Sequence, residues 1–184
     1  MRASINDFVF VALVVTSSLS GCSGQKDASG RITCITKGAP IEFTFPGGWH
    51  ESHKEHPFDL QCFSASKEMN TGVFSYSRTD IAADAAPAGM LWNQINDFKS
   101  KRGNFKEFKA IQKSEHDDKT ITSIVYQGDK DLSRYCYRFS LIEFKADDSK
   151  FAVVIQVTLP EKWNQSEPVL SEITNTARAV PLKN

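Results

Sequence analysis

The order of strand-like and helix-like segments restricts this chain to few folds. Seven segments show the two-residue period of β-strands. One helical segment interrupts them, and a second helical segment follows the last one. The strand-like segments cover residues 41–45, 58–65, 73–77, 105–112, 120–127, 134–144 and 151–159. Short, turn-rich segments containing Gly, Asp and Pro separate most of them, which favours antiparallel pairing of successive strands. We therefore predict an α+β fold, with an antiparallel meandering sheet of about seven strands flanked by two main helices.

The two helices are predicted from apolar residues that recur along one face. Leu91, Ile95 and Phe98 are spaced for one side of a helix over residues 90–99. A closing helix over 166–179 shows the same kind of apolar stripe.

The amino terminus has the pattern of an export signal. Residues 8–15 (FVFVALVV) are apolar, a run that is too short to span a bilayer but long enough for the core of a signal peptide. Residues 19–22 (LSGC) then resemble the lipobox of bacterial lipoproteins. That resemblance implies cleavage before Cys22 and lipidation of this cysteine with fatty acyl chains, which would anchor the chain to a membrane. Ser23, where many inner-membrane lipoproteins carry aspartate, favours the periplasmic side of the outer membrane over the inner membrane.

These signals divide the chain into three parts. We predict a lipoprotein signal peptide at 1–21, a flexible Gly- and Ser-containing tether at 22–31, and one domain at 32–184. The chain carries 22 basic and 22 acidic residues, interspersed along its length. This balance argues against nucleic acid as a partner.

Three cysteines remain in the mature chain besides the lipidated one. An oxidising periplasm favours one disulfide and leaves one thiol over. Cys62 and Cys136 both lie in strand-like runs, so they form the favoured pair, and Cys34 near the tether is the expected free thiol.

The order of elements resembles the PsbP-like fold and, within it, the DcrB-like periplasmic lipoproteins. The matching features are the strand that leads into Pro-Gly-Gly-Trp at 46–49, the Trp-containing helix at 90–99, the long meander, and the closing helix that ends in Ala-Val-Pro at 179–181. The resemblance implies an α-β-α sandwich that acts by binding or by assisting assembly.

Three of the four histidines lie within seven residues. His50, His53 and His56 have the spacing H-x₂-H-x₂-H, and imidazole is a common ligand of zinc and copper. A metal site on this loop is one interpretation, and a solvated His-rich loop is the other. Lys54, in the middle of the loop, would repel a cation.

Other candidate binding residues are Trp49, Arg134 and Arg138. The ring of Trp49 could line a cleft or pack in the core. Arg134 and Arg138 fall on one face of a predicted strand, where they could meet an acidic partner or be covered by a helix.

The function hypotheses follow from these features. The sequence contains no P-loop, no G-x-S-x-G, no H-E-x-x-H and no C-x-x-C, so we predict that the protein is not an enzyme. The leading hypothesis is a membrane-anchored periplasmic lipoprotein that binds an envelope protein or a small ligand. The alternatives are an immunity protein that neutralises a periplasm-delivered toxin, and metal binding through the histidine loop.

Overall fold

The computed structural model describes residues 25–82 and 86–181. The predicted signal peptide and Cys22 lie outside these residues. No helix in the described ranges is long and apolar enough to cross a membrane.

A seven-stranded antiparallel sheet forms the centre of the molecule. In spatial order its strands are β4 (His50–Glu51), β5 (Leu60–Phe63), β6 (Asn70–Ser77), β10 (Lys150–Thr158), β9 (Ser133–Phe144), β8 (Lys119–Lys130) and β7 (Gly103–Glu115). The central strand β10 is buried on both faces, which explains its nearly continuous apolar run. At one edge, β7 is largely exposed, and its lysines and register shifts protect this open edge from pairing with other chains.

A second, four-stranded sheet packs beside the first. Its order is β1 (Gln25–Lys26), β2 (Ile32–Ile35), β3 (Ile41–Phe45) and β11 (Arg178–Ala179). The run at 41–45 is a strand as predicted, and its buried residues Ile41, Phe43 and Phe45 alternate with partly exposed ones. It belongs to this small sheet, however, and not to the large one.

Two helices cover opposite faces of the large sheet. Helix α1 (Pro87–Ser100) starts with proline at its first turn and buries Leu91 and Ile95 against β9 and β10. Helix α2 (Trp163–Asn175) packs over the other face and against β3. Short 3₁₀ turns occupy Arg78–Asp80 and Pro160–Lys162. The predicted α+β class and its α-β-α layering are therefore confirmed.

The predicted tether is partly structured. Strand β1 pairs with β2, and the Asp27 carboxylate accepts hydrogen bonds from the backbone N–H groups of Ser29 and Arg31 in the turn between them. Residues 25–31 thus form the first strand and the turn of a hairpin whose second strand is β2. The sequence predicted a flexible segment here, and the hydrogen bonds to Asp27 order the turn.

Candidate functional site

The three histidines do not converge. His50 stacks on Phe63 with ring centroids 6.1 Å apart, and His56 lies 6.2 Å from Phe58, so the two rings pack at opposite ends of β5. His53 is exposed between them. Within residues 25–82 and 86–181, no three His, Cys, Asp or Glu side chains are grouped so that they could hold a metal ion. The three-histidine zinc or copper site is therefore not formed in this structure.

The predicted pairing of Cys62 with Cys136 does not fit the topology. Cys62 lies on β5 and Cys136 on β9, with β6 and β10 between them. Three strand spacings correspond to about 14 Å, whereas a disulfide requires Cα atoms within about 4.4–6.8 Å of each other. Cys62 instead lies beside Cys34, and Cys136 packs in a separate cluster with Val125 and Trp163.

Trp49 is a core residue. Its side chain is 5% exposed and packs against Phe45 with ring centroids 5.5 Å apart. Trp49 thus contributes to the core cluster that residues of both sheets form.

Arg134 and Arg138 lie on the same face of β9, as the alternation predicted, but in different surroundings. Arg134 is exposed, and its Nε bonds to Asp129 Oδ1 at 2.8 Å. Arg138 lies under α2, where Nη1 donates to the Ser171 hydroxyl at 2.6 Å and Nη2 to the Ser123 hydroxyl at 3.3 Å. Of these two arginines, Arg138 is the one that provides a positive group to a pocket beside a helix.

The guanidinium of Arg138 is not neutralised by a carboxylate. In the described part of the chain it makes no ion pair within 4.0 Å. Burial lowers the pKa of Arg138, and the charge of Glu167 opposes this effect. Glu167 is itself engaged by Lys109, whose Nζ lies 2.7 Å from Oε2. A partly buried positive charge whose hydrogen-bond acceptors among the described residues are two neutral hydroxyls favours an added anion.

A pocket of about 530 Å³ opens at this guanidinium. We call it the arginine pocket, and its polar lining includes Arg138, Lys113, His116, Ser123, Ser171 and Asn175. The Nε2 atom of His116 is buried and has no hydrogen-bond partner among the described residues. The pocket thus combines a positive charge, hydroxyl and amide groups and an unpartnered imidazole nitrogen, a set suited to a carboxylate or phosphate group.

The opposite face of the large sheet carries a second cleft, which the sequence reasoning missed. This aromatic cleft has a volume of about 350 Å³ and is lined by Phe58, Phe63, Phe98, Arg102, Tyr135 and Tyr137, among others. The Arg102 guanidinium lies 3.9 Å from the centroid of the Phe98 ring. Phe98 lies in the last turn of α1 and Arg102 lies two residues beyond its end, and this short spacing of an aromatic ring and an arginine is the sequence signal that could have indicated the contact.

Comparisons with known proteins support the fold. No protein-family model and no curated protein matches the chain. Among solved structures, cyanobacterial PsbP (CyanoP) from Synechocystis is similar with a TM-score of 0.60 and 12% identity, over 88% of this chain and 99% of that one. LpqN from Mycobacterium tuberculosis has a TM-score of 0.56 and 9% identity, over 84% of this chain and 87% of that one. The chain therefore has the PsbP-like α+β fold, and at these identities the likeness extends to the fold alone.

Proposed function

We propose that the chain is a lipid-anchored lipoprotein of the bacterial cell envelope whose domain binds an acidic group of an envelope protein or small ligand, without catalysing a reaction. The observation that supports the binding part is the Arg138 guanidinium, which is partly buried, donates to two serine hydroxyls and has no carboxylate within ion-pair distance among the described residues. An incoming carboxylate or phosphate would form charge-assisted hydrogen bonds there without displacing an internal anion.

The surroundings of Arg138 favour binding over catalysis. A nucleophilic serine requires a base within hydrogen-bond reach. The Ser123 hydroxyl instead contacts the Ser140 hydroxyl at 2.8 Å and accepts from Arg138, and the Ser171 hydroxyl also accepts from Arg138. Both hydroxyls are therefore engaged in holding the guanidinium.

The envelope location is supported by the sequence of the amino terminus. Residues 19–22 resemble a lipobox, and two or three acyl chains on Cys22 would make the attachment firm, whereas a single chain binds reversibly. LpqN, which shares the fold, is involved in cell envelope biogenesis. Mass spectrometry of the amino-terminal peptide from the native protein tests this part: we expect cleavage before Cys22 and acyl groups on that residue. An unmodified Cys22, or residues 1–21 still attached, would contradict it.

Affinity capture tests the binding part. The full lipoprotein in mild detergent is used as bait for an envelope extract and compared with Arg138→Met, which keeps a similar length but removes the charge. The matched control is Arg134→Met, because Arg134 lies on the same face of β9 but is exposed and already paired. We expect a partner or ligand that the wild type and the control retain and Arg138→Met loses. Equal recovery by all three proteins would contradict a role for the arginine pocket.

A further inference from the structure

Two buried thiols meet at the junction of the two sheets. Cys34 lies on β2 of the small sheet and is 1% exposed, and Cys62 lies on β5 of the large sheet and is 0% exposed. Both belong to one core cluster, and the backbone N–H of Lys37, just after β2, donates to the carbonyl oxygen of Asp59, just before β5, at 3.3 Å, which brings the two strands side by side. The contact links strands that share no backbone ladder.

We infer that Cys34 and Cys62 form a disulfide bond that joins the two sheets. Their positions are 28 residues apart in the sequence, so the bond would close a long loop that contains β3, β4 and the histidine segment. This bond is independent of the arginine pocket. It requires an oxidising compartment, but not a particular ligand.

The bond forms by thiol–disulfide exchange with an oxidant, either a protein disulfide or oxidised glutathione. The thiolate of one cysteine attacks a sulfur of the oxidant, the oxidant's S–S bond breaks, and one sulfur leaves as a thiolate. The second cysteine thiolate then attacks the mixed disulfide and releases the other sulfur. The two cysteine protons pass to solvent or to the leaving thiolates, and the oxidant is reduced to two thiols. Because both cysteines are buried in the folded domain, the exchange takes place while the chain is folding.

The ionisation of the three thiols is consistent with this pairing. The hydrogen bond from Cys62 lowers the pKa of Cys34, against the opposing effects of burial and of Glu51. Burial raises the pKa of Cys136, with a weaker opposing effect from a hydrogen bond donated by Gln127. Cys136 packs with Val125 and Trp163, apart from the cluster that holds the other two thiols, and is therefore the thiol left over.

Peptide mapping tests the bond. The full chain is isolated from the envelope fraction, and a second sample is refolded in a buffer of reduced and oxidised glutathione. Free thiols are alkylated in denaturant before any reduction. We expect alkylation of Cys136, and a Cys34–Cys62 peptide pair lighter by two hydrogen atoms than the two thiol peptides together. Cys136→Ala serves as the matched control and should keep this linkage, whereas Cys34→Ala should leave Cys62 open to alkylation.

The outcomes separate this inference from the proposed function. Alkylation of both Cys34 and Cys62 in the refolded wild type, or a bond from either one to Cys136, would overturn the inferred pairing. A Cys34–Cys62 bond in the refolded sample with free thiols in the envelope sample would uphold the pairing and count against the proposed compartment. Because the wild-type map alone decides the pairing, the result does not depend on whether the alanine variants fold.

Discussion

Nη1 of Arg138 on β9 donates a 2.6 Å hydrogen bond to the hydroxyl of Ser171 on α2. This contact holds a partly buried guanidinium between the large sheet and the helix. The charge is costly to keep at such a position without an anion. A charged side chain at such a position is better explained by ligand binding than by a contribution to the stability of the fold.

We predict that anions stabilise the wild-type domain through Arg138. Phosphate or succinate at about ten times its Kd should add about 1.4 kcal/mol to the free energy of unfolding and raise Tm by about 3–6 °C. Thermal unfolding at constant ionic strength measures this shift. Arg138→Met should lose the shift while unfolding at the same or a higher Tm without anion, because an unpaired charge has been removed. Arg134→Met should respond like the wild type, and an equal response of Arg138→Met would show that the anions act elsewhere.

Two buried lysines of the large sheet hydrogen-bond to the backbone of the carboxyl-terminal segment. Lys119 Nζ donates to the carbonyl oxygen of Ala177 at 3.1 Å, and Lys150 Nζ donates to that of Val180 at 2.7 Å. Each lysine is also paired with an aspartate, Asp118 and Asp147 respectively. The two lysines are 4% and 5% exposed, so water does not replace these bonds easily.

We predict that Lys150→Met destabilises the domain by about 1–3 kcal/mol, because a carbonyl oxygen then loses its charged donor. Chemical denaturation measures this loss, and hydrogen exchange at residues 177–180 should become faster. Lys101→Met is the control, since the exposed pair of Lys101 with Asp97 should contribute less than about 0.5 kcal/mol. Equal losses in the two variants would contradict the stabilising role of Lys150.

The strands were predictable where burial imposes a period, as in β3 with Ile41, Phe43 and Phe45. The order of the strands in the sheet was not predictable from the sequence. Hydrophobic period and turn length indicate which strands follow each other along the chain, but they do not indicate that β10 lies between β6 and β9. The predicted pairing of Cys62 with Cys136 rested on both residues lying in strand-like runs, but β5 and β9 are not neighbours in the sheet. Strand β2 was missed because it has only four residues and lies beside a polar hairpin.

The candidate site was predictable in part. Alternation along β9 correctly put Arg134 and Arg138 on one face, since successive side chains of a strand point to opposite sides. The packing of α2 on the sheet decides which of the two arginines it covers. The residues around each arginine in the sequence do not indicate this packing. The H-x₂-H-x₂-H spacing likewise did not determine whether the three imidazole rings converge. In the structure, His50 packs on Phe63 and His56 packs on Phe58, which keeps these two histidines apart.

The turn between β7 and β8 provides a pH-dependent prediction. Hydrogen bonds from Lys113, Thr120 and Lys145 lower the pKa of Glu115 from 4.5 to about 2. A carboxyl group with a lowered pKa in the folded state stabilises the fold fully above its ordinary pKa, and this contribution is lost as the pH falls toward the lowered value. An NMR titration of the Glu115 side chain should therefore show its midpoint near pH 2. Lys145→Met should move the midpoint upward, and a wild-type midpoint at the ordinary value would contradict the network.

Two glycines offer opposite predictions for the same substitution. A Cβ atom at Gly72 on β6 would lie 2.6 Å from the Phe58 ring, which borders the aromatic cleft. Gly72→Ala must displace that ring, and we expect it to destabilise the domain by about 1–3 kcal/mol. At Gly89 in α1, no atom of the described residues outside the helix backbone and the two chain neighbours lies within 4 Å of the added Cβ, so Gly89→Ala should stabilise the domain by about 0.4–1 kcal/mol. Urea denaturation of both variants measures the two effects, and a neutral Gly72→Ala would show that Phe58 can move away from Gly72 at little cost.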